Sequence, residues 1–581
     1  MASGHDQKQI RSLNEAIRRC RAGFGTAFAF SLALNLLMLV APLYTLQVFD
    51  RVLTSRSTET LVYLTLLAIF AFVIYWGLDI ARGRVMVNVG IWLERFSGSS
   101  ALRASLATAL DNKTASTGVL RDLSQVRSFL IGPAVFPVLD APWTPIFLAT
   151  IFLLHPFLGW VALCGAIVLL CLGLANDLLT RNLLVLAGQF GSSAQDDVQA
   201  AVRNADVIHA MGMIPNVISR WAHASNQSLD RQTRAAKTSG VISASSKSIR
   251  MVLQIGIMGL GAWLVLQNEL TAGGMIAGSI LTARALAPVE QATSLWRSAM
   301  VAKASYWRLK QSLGTEQQPV QQVAMRAPEG HLRVEALSFA YPGQKEPVLQ
   351  NINFELRAGQ GLGLIGPTAS GKSTLARILV GNLKPRLGHA RLDGVDLSSW
   401  GSDDRGQYIG YVPQDIELFN GNILENIARL AAPDRELAYS AATIAGVHDD
   451  ILRLPQGYDT RIGVGGMSLS GGQRQKIGLA RAVYGDPKLI VLDEPNTNLD
   501  LTGESALVQA LEKLRERGST VVIIVHRPSL LRNVDNILFL RDGSVHMMGP
   551  RDNVIEAIRT PAAPTAPSRN LGGSFGPGSG N

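Results

Sequence analysis

The stretch Gly366-Pro367-Thr368-Ala369-Ser370-Gly371-Lys372-Ser373-Thr374 fits the pattern G-x-x-x-x-G-K-S. In a loop of this kind glycines let backbone N–H groups approach a phosphate, the lysine neutralises its charge and the serine hydroxyl can ligate magnesium. The apolar run Gly361-Leu-Gly-Leu-Ile365 precedes the loop, and a helical stretch from Ser373 to Gly381 follows it. That is the strand–loop–helix context the motif requires, with a helix N-terminus turned toward phosphate. ATP with Mg2+ is the expected pair of cofactors.

Further along, Leu489-Ile-Val-Leu492 reads as a buried strand that ends in Asp493 and Glu494. Carboxylates so placed can put Asp493 on the magnesium shell and Glu494 near an attacking water. Val521-Val-Ile-Ile-Val525 reads as another strand and Gly503 to Arg517 as a helix. Strands alternating with helices predict an α/β domain around a mostly parallel sheet, beginning near His331.

At 581 residues the chain is too long for a single core. Residues 1–310 hold 27 of the 54 Lys and Arg but only 16 of the 44 Asp and Glu, so the net charge of +10 belongs to this half. Its basic residues lie between apolar segments, where the positive-inside bias of membrane proteins explains them, and no nucleic-acid partner is expected. Cys164 and Cys171 fall on one helix about 10 Å apart, too far for a disulfide. They and Cys20 read as packing residues, and no Cys/His spacing suggests zinc. The first 21 residues are polar and basic, and the apolar run behind them is too long for a signal peptide, so no cleaved leader is expected.

Uncharged runs at Ala22–Phe49, Thr60–Leu78, Ala141–Asn176, Met251–Asn268 and Leu270–Ala283 mark membrane spans. The run from 141 to 176 would make a helix of about 54 Å, nearly twice the hydrocarbon thickness, so it folds back at His155-Pro156 and the total becomes six. Segments 80–140 and 177–250 carry seven and eight Lys or Arg, which makes their side cytoplasmic, and the opposite loops are short. These two long excursions are expected to be helices projecting into the cytoplasm. Asp140 and Arg284 are costly in lipid and should face a cavity, a partner or the interface; for Arg284, snorkelling to water is an equal alternative. The polar segment 311–330 reads as a linker, 331–558 as the second domain, and 559–581, rich in Pro, Gly, Ser and Ala, as a disordered tail.

With these motifs in place the chain resembles the ATP-binding cassette family. Leu469-Ser470-Gly471-Gly472-Gln473 matches its signature, Tyr411-Val-Pro-Gln414 its Q-loop and Asn498-Leu499-Asp500 its D-loop. His526 stands at its switch position, and Tyr341 stands where the family stacks an aromatic on adenine. The resemblance implies a six-span α-helical transmembrane domain of the exporter type, residues 22–310 behind a cytoplasmic segment 1–21, fused to an α/β P-loop nucleotide-binding domain. It implies nucleotide contacts from Tyr341, residues 366–374, Ser470, Gly471, Gly472, Gln473 and Asp500. Catalytic roles fall to Glu494, His526 and Gln414, and magnesium to Ser373, Gln414 and Asp493. Two copies would sandwich two ATP molecules, so a homodimer is implied. The segment Asp459-Thr-Arg-Ile-Gly-Val-Gly-Gly466 is either a Gly-rich loop or a contact to the partner's membrane helices, and Arg405 and Arg461 could be surface charges only.

Several segments resemble one branch, the permease/ATPase of bacterial type I secretion systems of the protease and lipase exporter kind. They are Pro42 to Ser55, Asp140-Ala-Pro-Trp-Thr-Pro145, Asn204 to Gly212, Arg284-Ala-Leu-Ala-Pro-Val-Glu-Gln291 and Asp493-Glu-Pro-Asn-Thr-Asn-Leu-Asp500. This chain departs from the usual pattern at Thr497 and at Thr368-Ala369, where small residues should be tolerated. The branch implies a multi-pass protein of the bacterial inner membrane with its nucleotide domain in the cytoplasm. Its partners would be a periplasmic adaptor, an outer-membrane channel, the lipid bilayer, and a secreted, unfolded protein carrying a C-terminal signal. Stretches 120–130 and 204–221 would transmit closure of the nucleotide domains. The alternatives are export of lipid or small molecules, and an ATP-binding membrane scaffold or regulator.

Overall fold

The computed structural model describes residues 13–112, 118–314, 327–344, 346–463, 469–525 and 530–559. His526, most of the expected linker, the end of the 459–466 segment and all of the tail after Arg559, which ends a helix, lie outside the described residues. The chain divides into two compact units, Met1–Glu316 and Gln317–Asn581.

Among the described residues of the first unit, six helical segments are long and apolar enough to span a membrane: Cys20–Ser55, Thr58–Leu110, Pro133–Leu154, Pro156–Arg203, Ile214–Leu266 and Ala272–Gln291. The fold-back falls at His155, whose extended backbone separates helix Thr144–Leu154 from a helix opening on Pro156. Proline suits that first position because its missing N–H would have no helical partner there. The imidazole Nδ1 of His155 accepts from Phe157 N at 3.2 Å and caps the new helix. The sixth helix, Ala272–Ser294, continues through Arg284 and contains Pro288.

Helices Thr58–Asn112, Pro156–Arg203 and Ile214–Leu266 have 55, 48 and 53 residues. At 1.5 Å per residue each is about 70–80 Å long, more than twice the hydrocarbon core. The excess covers both charged excursions, and between them lie the shorter helices Gly118–Ile131 and Ala205–Ala210. Phe147, Ile151, Leu158, Ala162, Ile257, Leu264, Leu281 and Ala285 form one core joining the last four spans. The second span instead leaves Leu66, Leu67 and Phe70 exposed, as a lipid-facing helix does.

A polar knot crosses the first three spans. Arg82, 7 % exposed, donates to Asp140 Oδ1 and Asp79 Oδ1, both at 2.8 Å, and to Ser31 Oγ at 3.1 Å. Asn35 Nδ2 donates to the same Asp140 oxygen at 3.2 Å, and the guanidinium lies 4.5 Å over the Phe136 ring. Asp140 is thus neutralised within its own chain, whereas Arg284 is exposed with no hydrogen bond or ion pair among the described residues.

Among its described residues the second unit holds twelve strands: β1 (Leu332–Phe339), β2 (Leu349–Leu356), β3 (Gly361–Ile365), β4 (Leu387–Leu392), β5 (Val395–Asp396), β6 (Ile409–Val412), β7 (Gly421–Asn422), β8 (Arg461–Ile462), β9 (Leu489–Asp493), β10 (Thr520–Ile524), β11 (Asn536–Arg541) and β12 (Ser544–Pro550). Six form a sheet in the order β12-β11-β3-β10-β9-β6, parallel except for the β11–β12 pair. Its central strands are apolar throughout because both faces are covered. Leu489, Val491, Val522 and Ile524 enter one core with Leu375 and Leu379, while Ile490, Leu492, Val521 and Ile523 enter the other with Ile477 and Leu507. A four-stranded antiparallel sheet, β2-β1-β4-β5, covers the first core, and a short β7–β8 pair stands apart. Arg405 is no surface charge: its guanidinium donates to Gly381 O at 2.8 Å and Leu397 O at 3.3 Å.

Candidate nucleotide site

The phosphate loop follows β3, and Asp493 ends β9, with β10 between them in register: Ile524 pairs with both Leu364 and Asp493. The carboxyl ends of parallel strands therefore bring the loop and the two carboxylates to one edge. Gly366 has φ 154° and Gly371 φ 97°, and a Cβ on Gly366 would lie 2.1 Å from Leu540 O of β11. Ala369 is also left-handed, at φ 65°. The loop is thus curled so that its amides converge while glycine occupies the close approach.

Lys372 starts helix Lys372–Leu379 and is 6 % exposed; its Nζ donates to Gly366 O at 2.9 Å and Pro367 O at 2.8 Å. Burial lowers its pKa, and the charges of Glu494 and Asp493 oppose that shift. Ser370 Oγ is buried with no hydrogen-bond partner among the described residues, an orphan that a phosphate oxygen would satisfy. Ser373 Oγ donates to Asp493 Oδ1 at 3.2 Å, so the hydroxyl and carboxylate that suit a magnesium ion already face each other. Loop and donors fit a nucleotide phosphate with a hard cation.

Glu494 takes a left-handed φ of 49° at the strand end, held by its amide donating to Ile524 O at 3.1 Å. Gln414 Nε2 donates to Glu494 Oε2 at 3.3 Å. The neighbouring Tyr411 phenol is pushed up to about 12 by burial and then by the Asp493 charge. Tyr341 stacks edge-on against Phe339 at 5.0 Å, and its hydroxyl lies 3.3 Å from Thr374 Oγ1 and 3.5 Å from Arg377 Nη1. Arg377, one turn along the loop's own helix, carried no motif and was invisible in the sequence.

A second group gathers around helix Gly471–Val483. Ser470 Oγ accepts from Gln473 N at 3.2 Å while Gln473 Oε1 accepts from Ser470 N at 2.9 Å, a capping box. Gly471 and Gly472 sit against Asn498: added Cβ atoms would lie 3.4 Å from its Cβ and 3.2 Å from its carbonyl oxygen. Asp500 caps helix Leu501–Glu516 through Gly503 N at 2.7 Å and Thr502 Oγ1 at 2.9 Å, and the Gly503 bond first of all lowers its pKa. The signature and D-loop residues thus form one surface in which Asp500 acts as a helix cap.

The profile of the ABC transporter family matches residues 349–497, and that of the ABC transporter transmembrane region matches 24–288. The chain belongs to the ABC transporter family, as a membrane-spanning ATPase with both units in one polypeptide. It is 41 % identical over 549 residues to the type I secretion system ATP-binding protein PrsD of Rhizobium meliloti (strain 1021), covering 94 % of both chains. It is 30 % identical over 558 residues to the leukotoxin translocation ATP-binding protein LktB of Mannheimia haemolytica, covering 93 % of this chain and 77 % of that one. Its fold is also that of a bacterial Atm1-family ABC exporter solved with ATP bound, with a TM-score of 0.78 over 93 % of this chain and 21 % identity.

Proposed function

We propose that this protein is the inner-membrane ATPase of a type I secretion system, exporting unfolded proteins that carry a C-terminal signal. The observation that carries the reading is identity to PrsD through both the membrane and the nucleotide unit. A working unit is a homodimer, with its nucleotide units in the cytoplasm, a periplasmic adaptor and an outer-membrane channel completing the path.

In each site Lys372 leaves the loop carbonyls for phosphate, and Ser370 Oγ and the loop amides add donors. Ser373, Asp493 and Gln414 would hold Mg2+, which supplies charge neutralisation at the phosphates. Glu494, aimed by Gln414 and by its strand-end backbone, positions and deprotonates the attacking water. Ser470, Gly471 and Gly472 of one copy face the nucleotide held by the other. His526 senses the terminal phosphate.

The test is secretion of co-expressed candidate proteins in a host supplied with adaptor and channel, comparing the native chain with Glu494→Gln. Export that requires Glu494 and the cargo's C-terminal segment supports the reading. ATP hydrolysis without export of any candidate would shift it to lipid or small-molecule transport.

A further inference from the structure

The ends of the spans opposite the charged excursions are joined by three turns, and the third turn is tied to both of the others. Asp50 lies in the Pro42–Ser55 segment, to which no role has yet been given. A π-helical turn, Val48–Val52, breaks the end of the first span there and carries Asp50. Its carboxylate accepts from Thr271 Oγ1 at 2.6 Å and from Gly273 N at 2.9 Å, across more than two hundred residues of sequence. Thr271 Oγ1 in turn accepts from Gly274 N at 3.0 Å. The opening turn of the sixth helix is therefore capped by a carboxylate from the first span, where the helix dipole favours negative charge. Beside it, Glu269 of the same turn meets His155 Nε2 of the second turn at 3.4 Å.

The fit around Asp50 is tight. A Cβ on Gly273 would stand 2.6 Å from Asp50 Oδ1 and 2.7 Å from Leu46 O, so glycine alone lets the first span approach. These bonds join the first span to the sixth on the side of the unit opposite the charged excursions, where Tyr44 also meets Thr65 at 3.0 Å between the first and second spans. We propose that Asp50, with Thr271 and Gly273, is a latch that holds the outer ends of the first and sixth spans together and opens once in each transport cycle. The inference rests on the export reading and on the orientation that places these turns outside the cytoplasm. An element with two arrangements is biased by whatever binds one of them, and two charge-assisted bonds weight the closed one by about tenfold or more.

The test uses the full chain with its three native cysteines replaced by serine. In the Asp50→Cys, Thr271→Cys pair, oxidation should fix the latch: export falls at least about tenfold, ATP still binds, and reduction restores export. Export by the oxidised protein at the reduced rate would overturn the latch, as would failure of the cysteines to cross-link, which would put the side chains apart. A second measurement needs no cargo. Asp50→Asn, Thr271→Val and Gly273→Ala should each raise ATPase activity without cargo about threefold to tenfold at unchanged KM for ATP. A parallel fall in basal and cargo-stimulated rates would mean a structural cap only. If the native chain exports no protein, the export reading fails while the ATPase comparison still judges the latch.

Discussion

Replacing Asp140 by Asn tests the polar knot of the membrane unit. Removing one member of a buried ion pair costs about 3–5 kcal/mol when the remaining charge is left alone. Arg82 is not left alone: Asp79 stays at 2.8 Å with its side chain 49 % exposed, and Phe136 still lies beneath the guanidinium. Asp140 itself is 19 % exposed, so part of its charge is hydrated. These two facts bring the expected loss for Asp140→Asn down to about 2 kcal/mol. Arg82→Met should cost about 2–3 kcal/mol, because it also abandons the Phe136 ring. The double variant removes both the charge and its need for a partner, so it should lose about 2–3 kcal/mol rather than the sum, a coupling of about 2 kcal/mol. The assay is denaturant unfolding of the full chain in mild detergent, followed by tryptophan fluorescence. Losses that add to within about 0.5 kcal/mol would refute the argument, since independent sites add and paired ones do not.

Arg284→Gln should behave oppositely in the same assay, shifting stability by less than about 0.5 kcal/mol, because the native arginine has no partner to lose among the described residues. Gly366→Ala should abolish ATP binding and destabilise the nucleotide unit by about 2–4 kcal/mol, read by nucleotide titration and melting, because Leu540 O is fixed between β3 and β12. The Tyr458 phenol is pushed up to about 12, chiefly by burial, and lies 2.8 Å from His448 Nδ1. The unfolded chain ionises this phenol near pH 10 and the folded one does not, so stability should fall as pH rises from about 10 to 12. Tyr458→Phe should flatten that part of a melting-versus-pH curve, and an unchanged slope would assign the loss to other groups.

The edge that carries the candidate site is legible because its information is local. A strand, a glycine loop and a helix follow one another within twenty residues, and the period of the apolar runs gives strands β3, β9 and β10 almost to the residue. The fold-back at His155-Pro156 was legible for the same reason, since length and proline decide it. The antiparallel sheet β2-β1-β4-β5 was not, because its pairings join segments such as Glu335 and His389, far apart in the chain. Nor were the partners of Asp140, Asp50 and Arg405, each set by a side chain or carbonyl that no spacing rule connects to it. Motif matching marks Asp500 for the nucleotide but does not show that its side chain also caps a helix N-terminus, a use that any Asp before a helix can have.

The reciprocal cap between Ser470 and Gln473 has a bearing on assembly. A segment that, on the proposed reading, meets another copy's nucleotide would, if left unsatisfied, stay unformed until that copy arrived. Here its hydrogen bonds close within one chain, and its glycines already rest on Asn498. A newly made subunit therefore carries this surface ready shaped while still single. If, as proposed, two copies pair across it, pairing is a docking of finished faces, whose rate is set by encounter and orientation rather than by a folding step at the interface.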